Sequence, residues 1–310
     1  MEDFSMISEK ESLLGSPLNR IEEEIIGLNL INANKNYKLI SNPSDDIALQ
    51  YDSQEMRTLI ADAAALCIDV YPISGVKDTP FYCTKSREWH LLSSKYNMFI
   101  GNGEQFAQEL NYNSLINQKS GLHSYVFLQI KNNYVINIAY VFRGTIGMKD
   151  WATDIEQGVK GRFSPQYNQA LINAIKLIQL QKRILPNVKI YFMGHSLGGG
   201  LAMHCGICTN TQVICFNPAS VHPTTIGKYR DNYNRLMRNN QLLSVYVEGE
   251  FLSSKASSSV GLPKSGTRIG ISKQTFNIKG PAAPFERHKM ENICAFYGLS
   301  ISNRKFIHYI

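Results

Sequence analysis

The chain has 310 residues, 44% of them hydrophobic and 18% charged. That is enough apolar chain for a sizeable core, and it is not the composition of a disordered or fibrous protein. Thirty-two Lys and Arg against 25 Asp and Glu leave a net charge of +7, which favours anionic partners. The cations are dispersed and no nucleic-acid-binding motif accompanies them, so no nucleic acid partner is expected.

No run reaches the roughly 18–20 apolar residues of a membrane span, and the richest stretch, Leu59 to Ile73, is broken by Asp62 and Asp69. The N-terminal region carries Glu2, Asp3, Glu9, Glu11, Glu22, Glu23 and Glu24 with no apolar h-region, which argues against a cleavable signal peptide. The expectation is a soluble protein synthesised in the cytoplasm. Six cysteines (67, 83, 205, 208, 215 and 294) are too sparse for a disulfide framework. Cys205 and Cys208 form a C-x-x-C, but both fall in a helical apolar pattern with no second ligand pair, so buried free thiols are the better reading.

Along the chain, residues 1–54 are polar and weakly periodic and read as an N-terminal arm or small subdomain, with the main domain at 55–310. The spacing of Met56, Leu59, Ile60, Ala63, Ala64 and Cys67 predicts an amphipathic helix from Gln54 to Val70, stopped by Pro72. Ser124–Ile130 and Tyr134–Phe142 are β-rich runs joined by Lys131, Asn132 and Asn133, the pattern of an antiparallel hairpin. Gln166–Ile184 predicts a helix with one apolar face. Val188–Met193 reads as a strand, Leu197–Cys208 as a helix, and Val213–Phe216 and Leu242–Val247 as strands. Strands alternating with helices predict the α/β class, a sheet covered by helices.

Chemistry concentrates where the Val188–Met193 strand meets its helix, at Gly194-His195-Ser196-Leu197-Gly198-Gly199-Gly200. This is G-x-S-x-G in a strand-to-helix setting. So tight a bend strains the middle residue, and glycines two before and two after remove Cβ atoms that would collide. Ser196 is then presented at the positive end of a helix, where developing negative charge is favoured.

A serine hydroxyl needs a base to become a nucleophile. Of the histidines downstream, His204 is two turns along the same helix and His308 is two residues from the end of the sequence. His222 follows the Val213 strand too closely to leave room for an acid. His288, in a loop opening the last helix, remains. Four carboxylates lie between Ser196 and His288: Asp231, Glu248, Glu250 and Glu286. Asp231 sits in a basic helical stretch, and Glu286 is too local to orient the imidazole. Glu248 and Glu250 lie at the end of the Leu242–Val247 strand, where α/β sheets place functional groups. Alternation puts both on one face, so the pattern alone does not choose between them; Glu250 is taken first and Glu248 second.

Val141-Phe-Arg-Gly-Thr145, Lys149-Asp-Trp-Ala-Thr-Asp154 and Gly194-His-Ser-Leu-Gly-Gly-Gly200 together resemble the class 3 lipase family, over roughly residues 120–300. Val247-Glu-Gly-Glu-Phe-Leu252 is similar to that family's acid-bearing loop, and His288 takes the place of its histidine. The resemblance implies an α/β-hydrolase fold, with a central, mostly parallel sheet flanked by helices. It also implies a Ser-His-acid triad, with oxyanion donors that map to Thr145 and to the backbone N–H of Leu197. The family's acid is usually Asp, and Glu departs from it. Arg143, Asp150 and Asp154 are read as structural ion pairs near the oxyanion loop, and Trp151 as packing. No metal or cofactor is expected.

The chemistry expected is hydrolysis of a lipid ester. Phe251–Gly280 carries Lys255, Lys264, Arg268, Lys273 and Lys279 and no acid. A basic loop of this kind could touch anionic headgroups, which favours phospholipids at a membrane surface over triacylglycerols. The triple-glycine motif and the leaderless N-terminus are similar to bacterial phospholipase effectors of the type VI kind. That resemblance implies a toxin delivered into a target cell, a secretion-apparatus partner and an immunity protein. The alternatives are an intracellular carboxylesterase or triacylglycerol lipase and, in a different class, a non-catalytic binding module on a hydrolase scaffold.

Overall fold

The computed structural model describes residues 37–39, 53–71, 89–92, 102–110, 115–117, 119–145, 165–252 and 267–299. The first elements are a short strand, β1 (Tyr37–Leu39), and helix α1 (Gln54–Asp69). Ser53 caps α1, its side chain accepting from the Met56 N–H at 3.2 Å, which satisfies one of the donors a helix start leaves open. The expected single apolar face is not what forms: α1 is buried on all sides from Ile60 to Asp69. Asp62 goes inside with it and accepts from the Trp89 indole N–H at 3.0 Å, a partner that offsets the cost of burying a carboxylate.

Next come β2 (Trp89–Leu91), α2 (Asn102–Glu109), β3 (Ile116–Asn117), β4 (Leu122–Lys131) and β5 (Tyr134–Phe142). The β4–β5 hairpin closes through Asn132 and Asn133 at φ 50° and 64°. These are the left-handed conformations a two-residue hairpin turn requires and asparagine tolerates. Then follow α3 (Pro165–Ile184), β6 (Lys189–His195), α4 (Leu197–Thr209), β7 (Gln212–Phe216), α5 (Pro223–Lys228), α6 (Arg230–Arg238) and β8 (Leu242–Val247). The described chain ends with β9 (Thr267–Ile271) and two short helices, α7 (Ala283–His288) and α8 (Met290–Phe296).

The described strands form one nine-stranded sheet in the order β1-β9-β8-β7-β6-β5-β4-β2, with β3 paired to β4. From β5 to β9 neighbours are parallel, while β4 and β1 add antiparallel strands. The crossovers from β5 to β8 all step in one direction, so right-handed connections bring α3, α4 and α6 onto one face. The other face is covered by α1 and α8. Alternate residues of β5 divide accordingly. Ala139 and Val141 join the core under α1 and α8, while Ile138, Tyr140 and Phe142 join the core under α3 and α4. Burial on both faces is why β8 reads as a nearly unbroken apolar run. Among the described residues no helix is long and apolar enough to cross a membrane.

Two further expectations change, at the basic Phe251–Gly280 segment and at His288. Part of the basic Phe251–Gly280 segment is strand: β9 pairs with β8, buries Ile269 and Ile271, and lays Arg268 over the Tyr246 ring at 3.9 Å. Glycine and serine nearby hid this short alternation; residues 253–266, with Lys255 and Lys264, lie outside the described residues. Of the N-terminal 54 residues, Tyr37–Leu39 extends the sheet beside β9, and apart from these and Ser53 and Gln54 the segment lies outside the described residues. His288 ends α7 at a break between two short helices, where Lys289 is extended, instead of lying in a loop. The five described cysteines are free. Burial raises the thiol pKa of Cys67 and Cys205 and so suppresses the reactive thiolate. Among the described residues no cluster of three or more His, Cys, Asp or Glu could hold a metal.

Candidate active site

β6 ends at His195 and α4 begins at Leu197, so Ser196 alone makes the turn, at φ 58° and ψ −125°. Such backbone is costly for a residue with a side chain and persists only when its surroundings enforce it. They do. The Ser196 N–H donates to the Phe216 carbonyl at 3.0 Å, and its own carbonyl accepts from Gly200 at 3.1 Å and Ala219 at 2.9 Å. A Cβ on Gly194 would overlap the Gly198 carbonyl, and one on Gly198 would strike the Phe142 carbonyl group, 2.8 Å from its carbon. Glycine at these positions is required by contact, not only by backbone angles.

The stretch after β5 lies against this elbow. A Cβ on Gly144 would come within 2.6 Å of the His195 carbonyl oxygen and 3.2 Å of the Ser196 Cβ. Thr145 follows immediately and is half-buried; Leu197, 3% exposed, opens α4. The two residues read as oxyanion donors thus flank Ser196 from two segments. Burial lowers the pKa of the Arg143 guanidinium, which neighbours Tyr125 and Tyr71, and the backbone N–H of Arg143 donates to the His123 carbonyl at 3.0 Å. Asp150, Trp151 and Asp154 lie outside the described residues, as does His308.

At the end of β8 the chain turns through Gly249 at φ 73°. Strand alternation therefore stops at Val247, and Glu248 and Glu250 part company: Glu248 is half-buried at the rim, while Glu250 is 0% exposed. One Glu250 oxygen, Oε2, lies 2.6 Å from His288 Nδ1 and accepts from the Leu252 N–H at 2.8 Å. It is Glu250, not Glu248, that meets His288. The other candidates stand apart. Glu286 pairs with Lys289 at 2.8 Å, Asp231 is exposed on α6, His222 caps α5, and His204 is held edge-on against Tyr167.

Sequence reasoning missed three residues. Asn217, fully buried at φ 39°, follows β7. Its side chain donates to the His288 carbonyl at 3.0 Å and accepts from the Val247 N–H at 2.9 Å. His195, the variable residue of the serine motif, has Nε2 at 2.8 Å from that same carbonyl, and its ring centroid is 4.9 Å from that of His288. Burial, followed by the neighbouring His288, pushes the His195 pKa down to about 3. Tyr71, just past α1, places its hydroxyl 2.8 Å from His195 Nδ1. Polar residues flanking apolar strands were the available signal for Asn217 and His195. Nothing local marked Tyr71.

Parallel strands covered on both faces, with a serine elbow between strand and helix and a histidine–acid pair supplied later in the chain, are the architecture of an α/β-hydrolase. Within that class the chain belongs to the Tle-like phospholipase domain family, whose sequence model matches residues 97–281. An extracellular phospholipase A1 of Serratia liquefaciens is 32% identical over 115 residues, 37% of this chain and 33% of the relative. The chain therefore spans about a third of that relative's length. Among solved structures, lipase II from Rhizopus niveus is similar at 17% identity and TM-score 0.48, over 71% of this chain and 82% of the lipase. The Rhizomucor miehei triacylglyceride lipase gives 12% identity and TM-score 0.49, over 72% and 83%.

Proposed function

We propose that this chain hydrolyses an acyl ester of membrane phospholipids by serine catalysis, with Ser196 as nucleophile, His288 as base and Glu250 as the acid that orients it. The observation that carries the reading is the 2.6 Å contact between His288 and a fully buried Glu250, in a chain whose serine sits on a strained elbow. His288 Nε2 takes the Ser196 proton as Oγ attacks the ester carbonyl, and Glu250 stabilises the imidazolium that forms. The N–H groups of Thr145 and Leu197 meet the developing oxyanion, a donor of this kind contributing about 3–4 kcal/mol. The leaving alcohol collects the proton from His288, and water then releases the fatty acid by the same steps in reverse. Family membership supports a phospholipid substrate, and the Serratia relative's A1 activity favours the A1 over the A2 acyl position.

A phospholipase would meet the producing cell's own membranes, so the reading extends to a chain exported and delivered as an antibacterial effector. A secretion-apparatus partner would carry it, and an immunity protein would protect the producer. The extracellular relative supports export.

The test is fatty-acid release from phosphatidylethanolamine–phosphatidylglycerol vesicles by wild type and Ser196→Ala. Release should fall by at least about 10³-fold in the variant. Cleavage of short-chain esters alone would reduce the assignment to a small-ester hydrolase, and a variant as active as wild type would end it.

A further inference from the structure

We propose that Tyr71, His195 and Asn217 are positioning residues that lock the backbone of His288 against the serine elbow on one side and the acid strand on the other. The inference rests on the Ser196–His288–Glu250 reading, and it assigns roles to three side chains outside the triad.

The direction of each hydrogen bond follows from chemistry. The His288 carbonyl can only accept, so His195 Nε2, 2.8 Å away, carries a proton and donates it. A neutral imidazole then has its lone pair on Nδ1, which accepts from the Tyr71 hydroxyl at 2.8 Å. The low pKa of His195 agrees with this uncharged form. Tyr71 O–H to His195 Nδ1, and His195 Nε2–H to the His288 carbonyl, thus make one directed chain. The same Tyr71 hydroxyl packs against Gly144, the residue before Thr145. A single tie therefore runs from the oxyanion segment, past the residue preceding Ser196, to the backbone of His288.

Asn217 completes the clamp from the other side. Its Nδ2 donates to the His288 carbonyl at 3.0 Å and lies 3.4 Å from that of Arg287. Its Oδ1 accepts from the Val247 N–H, three residues before Glu250, and its backbone N–H donates to the Val245 carbonyl at 2.8 Å. The segments bearing Glu250 and His288 are thereby keyed to one buried amide. The contact at Nδ1 alone would leave the imidazole free to pivot about Glu250. Two buried donors on the carbonyl of the same residue fix the backbone that carries the ring, so that the ring and Glu250 keep one spacing. Displacing a catalytic group by about 1 Å can cost about 10²-fold in rate.

The experiment measures kcat and KM of the full chain on a soluble short-chain p-nitrophenyl ester, with melting temperatures, for wild type, Ser196→Ala, Tyr71→Phe, His195→Leu and His195→Gln. Tyr71→Phe should lower kcat about tenfold and His195→Leu about 10²-fold, each with KM within about twofold. His195→Gln, which keeps an N–H donor near Nε2, should recover most of the loss. Wild-type kcat in Tyr71→Phe and His195→Leu would overturn the proposal. So would a loss that glutamine fails to restore, or one that follows the melting temperature variant by variant, since either means packing alone. If wild type is no more active than Ser196→Ala, the serine-hydrolase reading itself fails, a result distinct from these.

Discussion

Glu248 and Glu250 are two residues apart and meet opposite environments, because Gly249 at φ 73° turns the chain between them. Glu250 is enclosed and bonded to both His288 Nδ1 and the Leu252 N–H; Glu248 stays at the rim, and its backbone N–H donates to the Ile271 carbonyl at 2.8 Å. An acid in the Glu250 position fixes the imidazole tautomer and stabilises its charged form, and loss of that role in a serine triad costs about 10⁴-fold in kcat. Glu250→Gln should therefore lower kcat on a soluble ester by about 10³- to 10⁴-fold, whereas Glu248→Gln should stay within about threefold. The reverse ranking would move the acid to Glu248. The sequence narrowed the choice to these two by elimination. It could not separate them, because alternation holds only while the strand continues, and β8 ends at Val247.

The elbow joining β6 to α4 was legible as an element because its constraint is local: a strand, one strained residue and a helix, with glycine wherever a Cβ would collide. Gly198 faces the Phe142 backbone, which cannot move aside without disturbing β5. Gly198→Ala should destabilise the fold by about 1–3 kcal/mol through overpacking. A Cβ on Gly227, in α5, would meet no atom of the described residues within 4 Å, and Gly227→Ala should stabilise by about 0.5–1 kcal/mol by restricting the unfolded chain. Chemical denaturation of both variants checks the pair; equal effects would mean that glycine at the elbow answers only a general flexibility. The β4–β5 hairpin was legible for the same local reason, two asparagines suited to positive φ. By contrast, the two-sided burial of α1 was not, since Asp62 reads as a solvent-facing residue until Trp89 arrives from another segment.

Taken as a unit, the molecule encloses histidines in separate places and keeps them uncharged. Burial lowers the pKa of His195 to about 3 and that of His204 to about 4, and half-buried His123 follows to about 4. An unfolded histidine titrates near pH 6.5. Between that value and the lowered native ones, the unfolded chain binds protons that the native chain does not, so stability falls as the pH drops below about 6.5. His195 should contribute a slope of about 1.4 kcal/mol per pH unit between pH 6 and 5. Urea unfolding at a series of pH values should show the decline, and His195→Gln should flatten it by that amount. An unchanged slope would mean that His195 takes up its proton in the folded state.

Ser196, the strand and helix around it, the hairpin and the alternation of strands with helices were determined by the sequence alone, because each depends on residues within a few positions of one another. The contact of Glu250 rather than Glu248 with His288, the strand at Thr267–Ile271, and the gathering of Tyr71, His195 and Asn217 around His288 were decided only by the tertiary structure. Tyr71 and His195 are 124 positions apart, and His195 and His288 are 93. Periodicity and motif spacing carry no information over such separations. Sheet order and the packing of α1 and α8 against it bring those side chains within hydrogen-bonding distance.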